Sequence, residues 1–236
     1  MICKLCRENK KLIKAHILPE GFFRRMRKDE AHLFAITGKG GYKKRLPIGE
    51  YDQEILCKDC DAKLGVWDNY ALKILKKETF EQGGDIMFGE ILVGREVGDV
   101  IYEKLKLFFV SLLWRASISG RDVYKAIKLG VYEERARQLI LDNSPGLDDE
   151  FSVNIYRFVN DEYGLLNPSN DRYEGINYIN LYIPGYVACV KVDRRRTPQS
   201  YVAWKLSRHA PLYIGLRDYI GSPEFRALIG AVSRSR

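Results

Sequence analysis

Four cysteines fall in two Cys-x-x-Cys pairs, Cys3-Lys4-Leu5-Cys6 and Cys57-Lys58-Asp59-Cys60, with 50 residues between them. A tight turn lets both thiolates of one pair reach the same ion. Two such pairs complete the closed tetrahedral shell of a structural Zn²⁺. The metal would close the long loop between the pairs and supply folding free energy in place of a large core. Disulfides, a redox motif and buried thiols compete with this reading. Disulfides need an oxidising compartment, and the opening Met-Ile-Cys-Lys-Leu-Cys has no basic n-region, apolar stretch and cleavage site, so the expected location is the cytoplasm. A redox pair normally occurs once, beside a βαβ pattern, whereas here the motif occurs twice without one. Zinc held by Cys3, Cys6, Cys57 and Cys60 is therefore the expected cofactor. Cys189, in Tyr-Val-Ala-Cys-Val-Lys-Val, reads as an inert packed thiol on a strand.

The excess positive charge lies beside those cysteines. Residues 1–77 hold 18 Lys and Arg against 10 Asp and Glu, which accounts for the whole net charge of +8, while the remainder is balanced at 21 of each. Basic residues cluster at Lys10-Lys11, at Arg24, Arg25, Arg27 and Lys28, and at Lys43, Lys44 and Arg45. Such clusters release counterions from a phosphate backbone, which makes nucleic acid the expected partner class, with DNA ahead of RNA. The competing explanation is a solvated basic face that offsets the −2 charge of a zinc tetrathiolate. The most apolar run, Leu107 to Trp114, is far shorter than the about 18 to 20 residues of a bilayer span, so no membrane partner is expected. Lys104, Lys106 and Arg115 read as its charged flanks.

The elements that must position these residues follow from periodicity. The first cysteine pair reads as a knuckle leading into a strand-like passage, Lys11 to His16, with Pro19 opening a basic helix over Glu20 to Glu30. Gly38, Gly40 and Gly41 mark an irregular loop or hairpin. The second pair should enter a helix, because Leu64, Trp67, Ala71, Ile74 and Leu75 recur on one face, with Asp61 near the N-cap. Residues 78–97 read as a Gly-containing connector with a short strand at Ile91 to Val93. Beyond it, Val100, Ile101, Leu105, Phe108, Phe109, Leu112 and Leu113 trace a long helix, and a second helix is expected from about Arg121 to Leu141. The period then changes to two, predicting strands at Phe151 to Val159, Tyr178 to Ile183, Tyr186 to Val192, Tyr201 to Leu206 and Leu212 to Leu216. Loops are expected at Asn167 to Asn170 and at Asp193 to Ser200. Helices followed by strands predict α+β, with a zinc module at 1–77 and an antiparallel β-rich α+β module at 98–236.

Among other polar residues, His32 and His209 show no partner in the sequence. Arg194, Arg195 and Arg196 fit an exposed hairpin tip better than a phosphate-binding β-ribbon. There is no Walker loop, dinucleotide fingerprint or nucleophile elbow.

Cys3-Lys-Leu-Cys6, Ala15-His16-Ile17-Leu18-Pro19 and Ile55-Leu56-Cys57-Lys-Asp-Cys60-Asp61-Ala62-Lys63 together resemble the zinc-stabilised subgroup of HNH endonucleases. The resemblance covers residues 1 to about 77 and implies a treble-clef, or ββα-metal, core. It implies that His16 is the general base. It places Asp61 where the family has a helix-borne His or Asn and Asp52 near the family's middle Asn, with Lys63 matching a lysine that often follows. Mg²⁺ or Mn²⁺ is the implied catalytic ion. The chain departs from the pattern in having Ala15 before the histidine, where many members have an acid, and aspartate at both later positions. A base for water, oxygen ligands for a divalent ion and positive charge for the backbone are what phosphodiester hydrolysis requires. The sequence thus predicts metal-dependent cleavage of nucleic acid. A zinc module that binds DNA or RNA without cutting it, or a protein-interaction adaptor, is the alternative, and residues 98–236 are expected to select targets or contact a protein partner or a second copy.

Overall fold

A computed structural model describes residues 1–26, 33–36, 43–46, 51–159 and 167–218. The chain opens on a knuckle closed by an isolated bridge between Ile2 and Asn9, with Arg7 at a positive φ of 62° where the turn reverses. Strand β1 (Ala15–His16) and helix α1 (Glu20–Met26) follow, then strands β2 (Leu33–Ile36) and β3 (Lys43–Leu46), which pair antiparallel. Strand β4 (Tyr51–Asp52) pairs antiparallel with β1, setting Ala15 opposite Asp52 and His16 opposite Tyr51. Helix α2 (Lys58–Ile74) begins at the second cysteine pair and buries Leu64, Trp67 and Ala71, the stripe expected from the 3.6-residue period. Its N-cap is Cys57, so Asp61 stands one turn inside the helix and not at the cap.

The stretch read as a connector holds helix α3 (Lys77–Glu81) and strands β5 (Gly84–Phe88) and β6 (Ile91–Gly98). Helix α4 (Tyr102–Ile118) is buried on nearly every side, including Lys106 and Arg115. Those two residues flank the apolar run in sequence and are buried with it. The single helix expected over 121–141 is broken into a 3₁₀ turn at Asp122–Tyr124 and helix α5 (Val131–Leu141). Gly130, with φ of 54°, is the N-cap of α5; this left-handed geometry suits glycine and stops the helix from running back.

Strands β7 (Val153–Phe158), β8 (Ser169–Tyr173), β9 (Ile176–Ile183), β10 (Tyr186–Lys191) and β11 (Leu212–Arg217) complete a seven-stranded sheet in the order β5-β6-β11-β7-β10-β9-β8. It is mixed rather than antiparallel: β11 runs parallel to β7, with Ile214 opposite Ile155, and antiparallel to β6. The strand expected at Tyr201 to Leu206 is instead the short helix α6 (Gln199–Val202), followed by an isolated bridge from Lys205 to Asn154. Pro198 precedes it in an extended conformation and its carbonyl accepts the N–H of Tyr201, which starts the turn. One continuous cluster of buried side chains joins Cys3, Leu5, Phe22, Leu64 and Trp67 to Phe108, Leu112, Ile155 and Ile214. A smaller cluster, including Tyr178, Tyr182 and Cys189, covers the other face of the sheet. Among the described residues, no helix is long and apolar enough to cross a membrane.

Candidate metal centre and adjoining pocket

The four paired cysteines converge. Sγ atoms of Cys3, Cys6, Cys57 and Cys60 all lie within 4.8 Å of one another, and all but Cys6 are buried. A tetrahedral zinc with Zn–S bonds of about 2.3 Å needs sulfur separations of about 3.8 Å, a small contraction from this spacing. The backbone shapes the shell: Arg7 N–H donates to the Cys3 carbonyl at 2.8 Å, Leu12 bridges Cys57, and the Cys57 N–H donates to Cys3 Sγ at 3.4 Å. Burial and then the neighbouring sulfurs push the Cys60 thiol well above the usual range. At Cys3, burial raises the thiol, but the N–H of Cys57 and those of Cys6 and Leu5 more than reverse this, leaving it at about 7. Four crowded sulfurs without a cation cannot all be thiolates, whereas a soft divalent ion relieves both the crowding and the charge. The donor set fits Zn²⁺. None of the five cysteines is in a disulfide.

This cluster is fastened to the helices beneath it. The Lys4 amine donates to the carbonyl of Ile118 at the end of α4 at 2.7 Å, and Arg137 of α5 donates to the carbonyl of Leu5 at 2.6 Å. Lys63 on α2 donates to the carbonyl of Leu141, the last residue of α5, at 2.6 Å. The two lysines thus satisfy carbonyls that the ends of α4 and α5 leave free, while Arg137 holds the knuckle itself.

Beside the cysteines, His16 and Asp61 line one pocket of about 310 Å³ between β1, α1 and α2. Asp61, Gly65, Asp68, Asn69 and Leu72 supply one wall, as spacings of four, seven, eight and eleven residues place them on one face of α2. Arg115, only 1% exposed, rises into it from α4. Its guanidinium donates to the Asp68 carboxylate at 2.9 and 2.7 Å and to the main-chain carbonyl of His16 at 3.1 Å. Arg24 and Glu20 on α1 form an ion pair at 2.9 Å along the pocket, with the Arg24 side chain 70% exposed. Burial raises the Asp61 carboxyl above its ordinary range, opposed by Arg115 and reinforced by Asp68. The His16 ring meets Tyr51 edge-on at 6.3 Å, and Lys14 sits 5.1 Å over the centre of the Tyr51 ring.

Asp52 is not brought to this pocket. Its carboxylate accepts from Ser119 Oγ at 2.9 Å, Gly120 N–H at 3.0 Å and Glu54 N–H at 2.9 Å, which ties β4 to the end of α4. Burial works to raise the Asp52 carboxyl, and these hydrogen bonds hold it below its ordinary value nonetheless. Replacing Asp52 by asparagine is expected to cost about 2 kcal/mol, the scale of a charge-assisted buried hydrogen bond. A lowered folded-state pKa means that this contribution is present above the unfolded value of about 4 and is lost as pH falls through the folded one. Denaturant titrations of both proteins should therefore show a gap at pH 6 that narrows by pH 3. A constant gap would remove the charge from the explanation.

Of the basic residues expected to meet nucleic acid, Arg24 is placed as described. Arg27 and Lys28 lie outside the described residues, as do His32 and Gly38, Gly40 and Gly41. The backbones of Arg25 in α1 and of Lys43, Lys44 and Arg45 in β3 are described, but not their side chains. Arg195 folds back onto Asp193 at 2.6 Å and onto the Gly175 carbonyl at 2.7 Å. The Arg115–Asp68 pair was missed in the sequence; an arginine set on an otherwise apolar helix, needing a buried partner, was the available signal. Among the described residues, the four cysteines are the only group of three or more metal-ligating side chains close enough to share an ion. Comparison with protein-family models, curated proteins and solved structures found no match to this chain.

Proposed function

We propose that this chain is a zinc-stabilised protein acting on nucleic acid, in which residues 1–77 form an HNH-like treble clef and the pocket hydrolyses a phosphodiester. The observation that carries the reading is that His16 and Asp61, far apart in sequence, line one pocket against the helix that the cysteine cluster starts. In this reading His16 accepts the proton of the attacking water. Asp61 is the carboxylate available to a Mg²⁺ or Mn²⁺ ion, a modest donor set that suits Mg²⁺, which takes one or two carboxylates and otherwise keeps water and phosphate oxygens. Such an ion, when bound, would polarise the scissile phosphate. Arg24, exposed in its pairing with Glu20, exchanges that carboxylate for a phosphate oxygen. Asp52 acts one layer behind, holding β4 and through it the paired strand that bears His16. Residues 98–236 supply Arg115 to the pocket and select the target.

Zinc-loaded protein incubated with supercoiled plasmid and with single-stranded DNA tests this. Cleavage that requires added Mg²⁺ or Mn²⁺ and disappears in His16→Ala is the expected result. A second reading, a binding module without cleavage, is favoured by the absence of a second metal-competent cluster among the described residues. Salt-sensitive binding by a protein that never cuts would select it, and neither binding nor cutting would sink both. Neutralising Arg24, Arg25, Arg27 and Lys28 together should reduce the slope of log affinity against log salt by about 3 to 4. An unchanged slope would place the nucleic acid on another surface.

A further inference from the structure

Gly65 lies well inside α2 and lines the pocket between Asp61 and Asp68. A glycine in a helix interior normally costs about 1 kcal/mol relative to alanine, so its presence needs a reason. Close packing is not the reason, because a Cβ built at Gly65 meets nothing within 4 Å among the described residues. Backbone strain is not the reason either, since Gly65 is absent from the positive-φ glycines, which include Gly89, Gly130 and Gly175. Gly21, in α1 across the pocket, is different: there a Cβ would stand 2.7 Å from Leu72 Cδ1, so a larger residue would have to push the end of that side chain aside. A side chain at 21 would press on Leu72, whereas one at 65 would enter open space. What a side chain at 65 would fill is the pocket itself.

We propose that Gly65 is a substrate-contacting, specificity-determining residue: it keeps the α2 wall open so that the sugar–phosphate of a nucleic-acid strand can lie against the helix backbone between Asp61 and Asp68. This deepens the proposed function and rests on it. Arg115 and Asp68 occupy each other, which fixes the wall on the Asp68 side of Gly65. His16 and Asp61 lie at the same pocket, which places the strand beside the groups assigned to the chemistry.

The test depends on two effects of opposite sign. Gly65→Ala should raise the melting temperature by about 2 °C, because alanine is the better helix former and nothing obstructs its methyl group. The same variant should raise KM for nucleic-acid cleavage about tenfold with kcat little changed. Gly65→Leu should remain folded and zinc-loaded, yet lose more than about 100-fold in kcat/KM, the scale of a misplaced substrate. Oligonucleotide binding by wild type and both variants is measured alongside. A stabilised Gly65→Ala with unaltered KM and binding, in a wild type that does cleave, would overturn the role of Gly65 and leave the nuclease reading standing. A wild type that neither cleaves nor binds would overturn both, and His16→Ala would then be equally silent. Loss of activity in Gly65→Ala accompanied by a fall in melting temperature would also count against the proposal, since it would assign the glycine to folding.

Discussion

Cys57→Ser is expected to take bound zinc from one ion per chain to none and to lower the melting temperature of the entire protein by about 10 °C or more. Structural zinc contributes about 10 to 16 kcal/mol to the folding of isolated zinc-finger peptides, where nothing else holds the fold. Here a hydrophobic cluster survives the loss, so only part of that stabilisation should disappear. A loss of about 4 kcal/mol corresponds to about 8 to 16 °C for a chain of this size. The effect should reach beyond residues 1–77, because Cys3 and Leu5 belong to the same buried cluster as Phe108 and Ile214, and Lys4 and Arg137 tie the knuckle to α4 and α5. Calorimetry should show one shifted transition, and metal analysis no zinc. A serine variant with full zinc and an unchanged transition would sink the tetrathiolate site.

His16→Ala is expected to reduce cleavage by about 10² to 10⁴-fold, the usual contribution of a positioned general base. The variant should keep its zinc, because His16 is not one of the four converging ligands. Nor should it lose the clamp beneath the site, since Arg115 holds the main-chain carbonyl of residue 16 and not the ring. Affinity for DNA should change less than about threefold, as a base acts on the transition state and hardly on binding. The combination of intact zinc, intact binding and lost turnover separates a catalytic histidine from a structural one. Retained turnover would remove His16 from the chemistry, and lost zinc would reassign it to the fold.

What the sequence disclosed depended on how local the physics was. The α2 stripe of Leu64, Trp67 and Ala71 and the buried β9 and β10 are set by side-chain periodicity, and they emerged where expected. The cysteine cluster was legible because metal spacing is a short-range constraint. Residues 201–206 misled because Tyr201, Val202 and Trp204 have the composition of a strand, while Pro198 starts a helical turn and only Lys205 and Leu206 reach β7. Strand β8, at the sheet edge, has a polar and half-exposed sequence that has the composition of a loop. The resemblance set Asp52 near the family's middle Asn, while its partners here, Ser119 and Gly120, lie more than sixty residues away and leave no local trace. The Arg115–Asp68 pair is likewise non-local, and it shows that the pocket draws on residues from both sides of the stretch 78–97.

The position of β11 carries a consequence for synthesis. It is inserted between β6 and β7, so the hairpin of β5 and β6 has no route into the sheet until residues 212–217 exist. At ribosomal rates of about 5 to 20 residues per second, the β6 edge waits roughly 6 to 24 s after it is made. During that interval β6 has no neighbour on the side that β11 later fills. Closure of the sheet therefore waits on a strand that begins 114 residues after β6 ends.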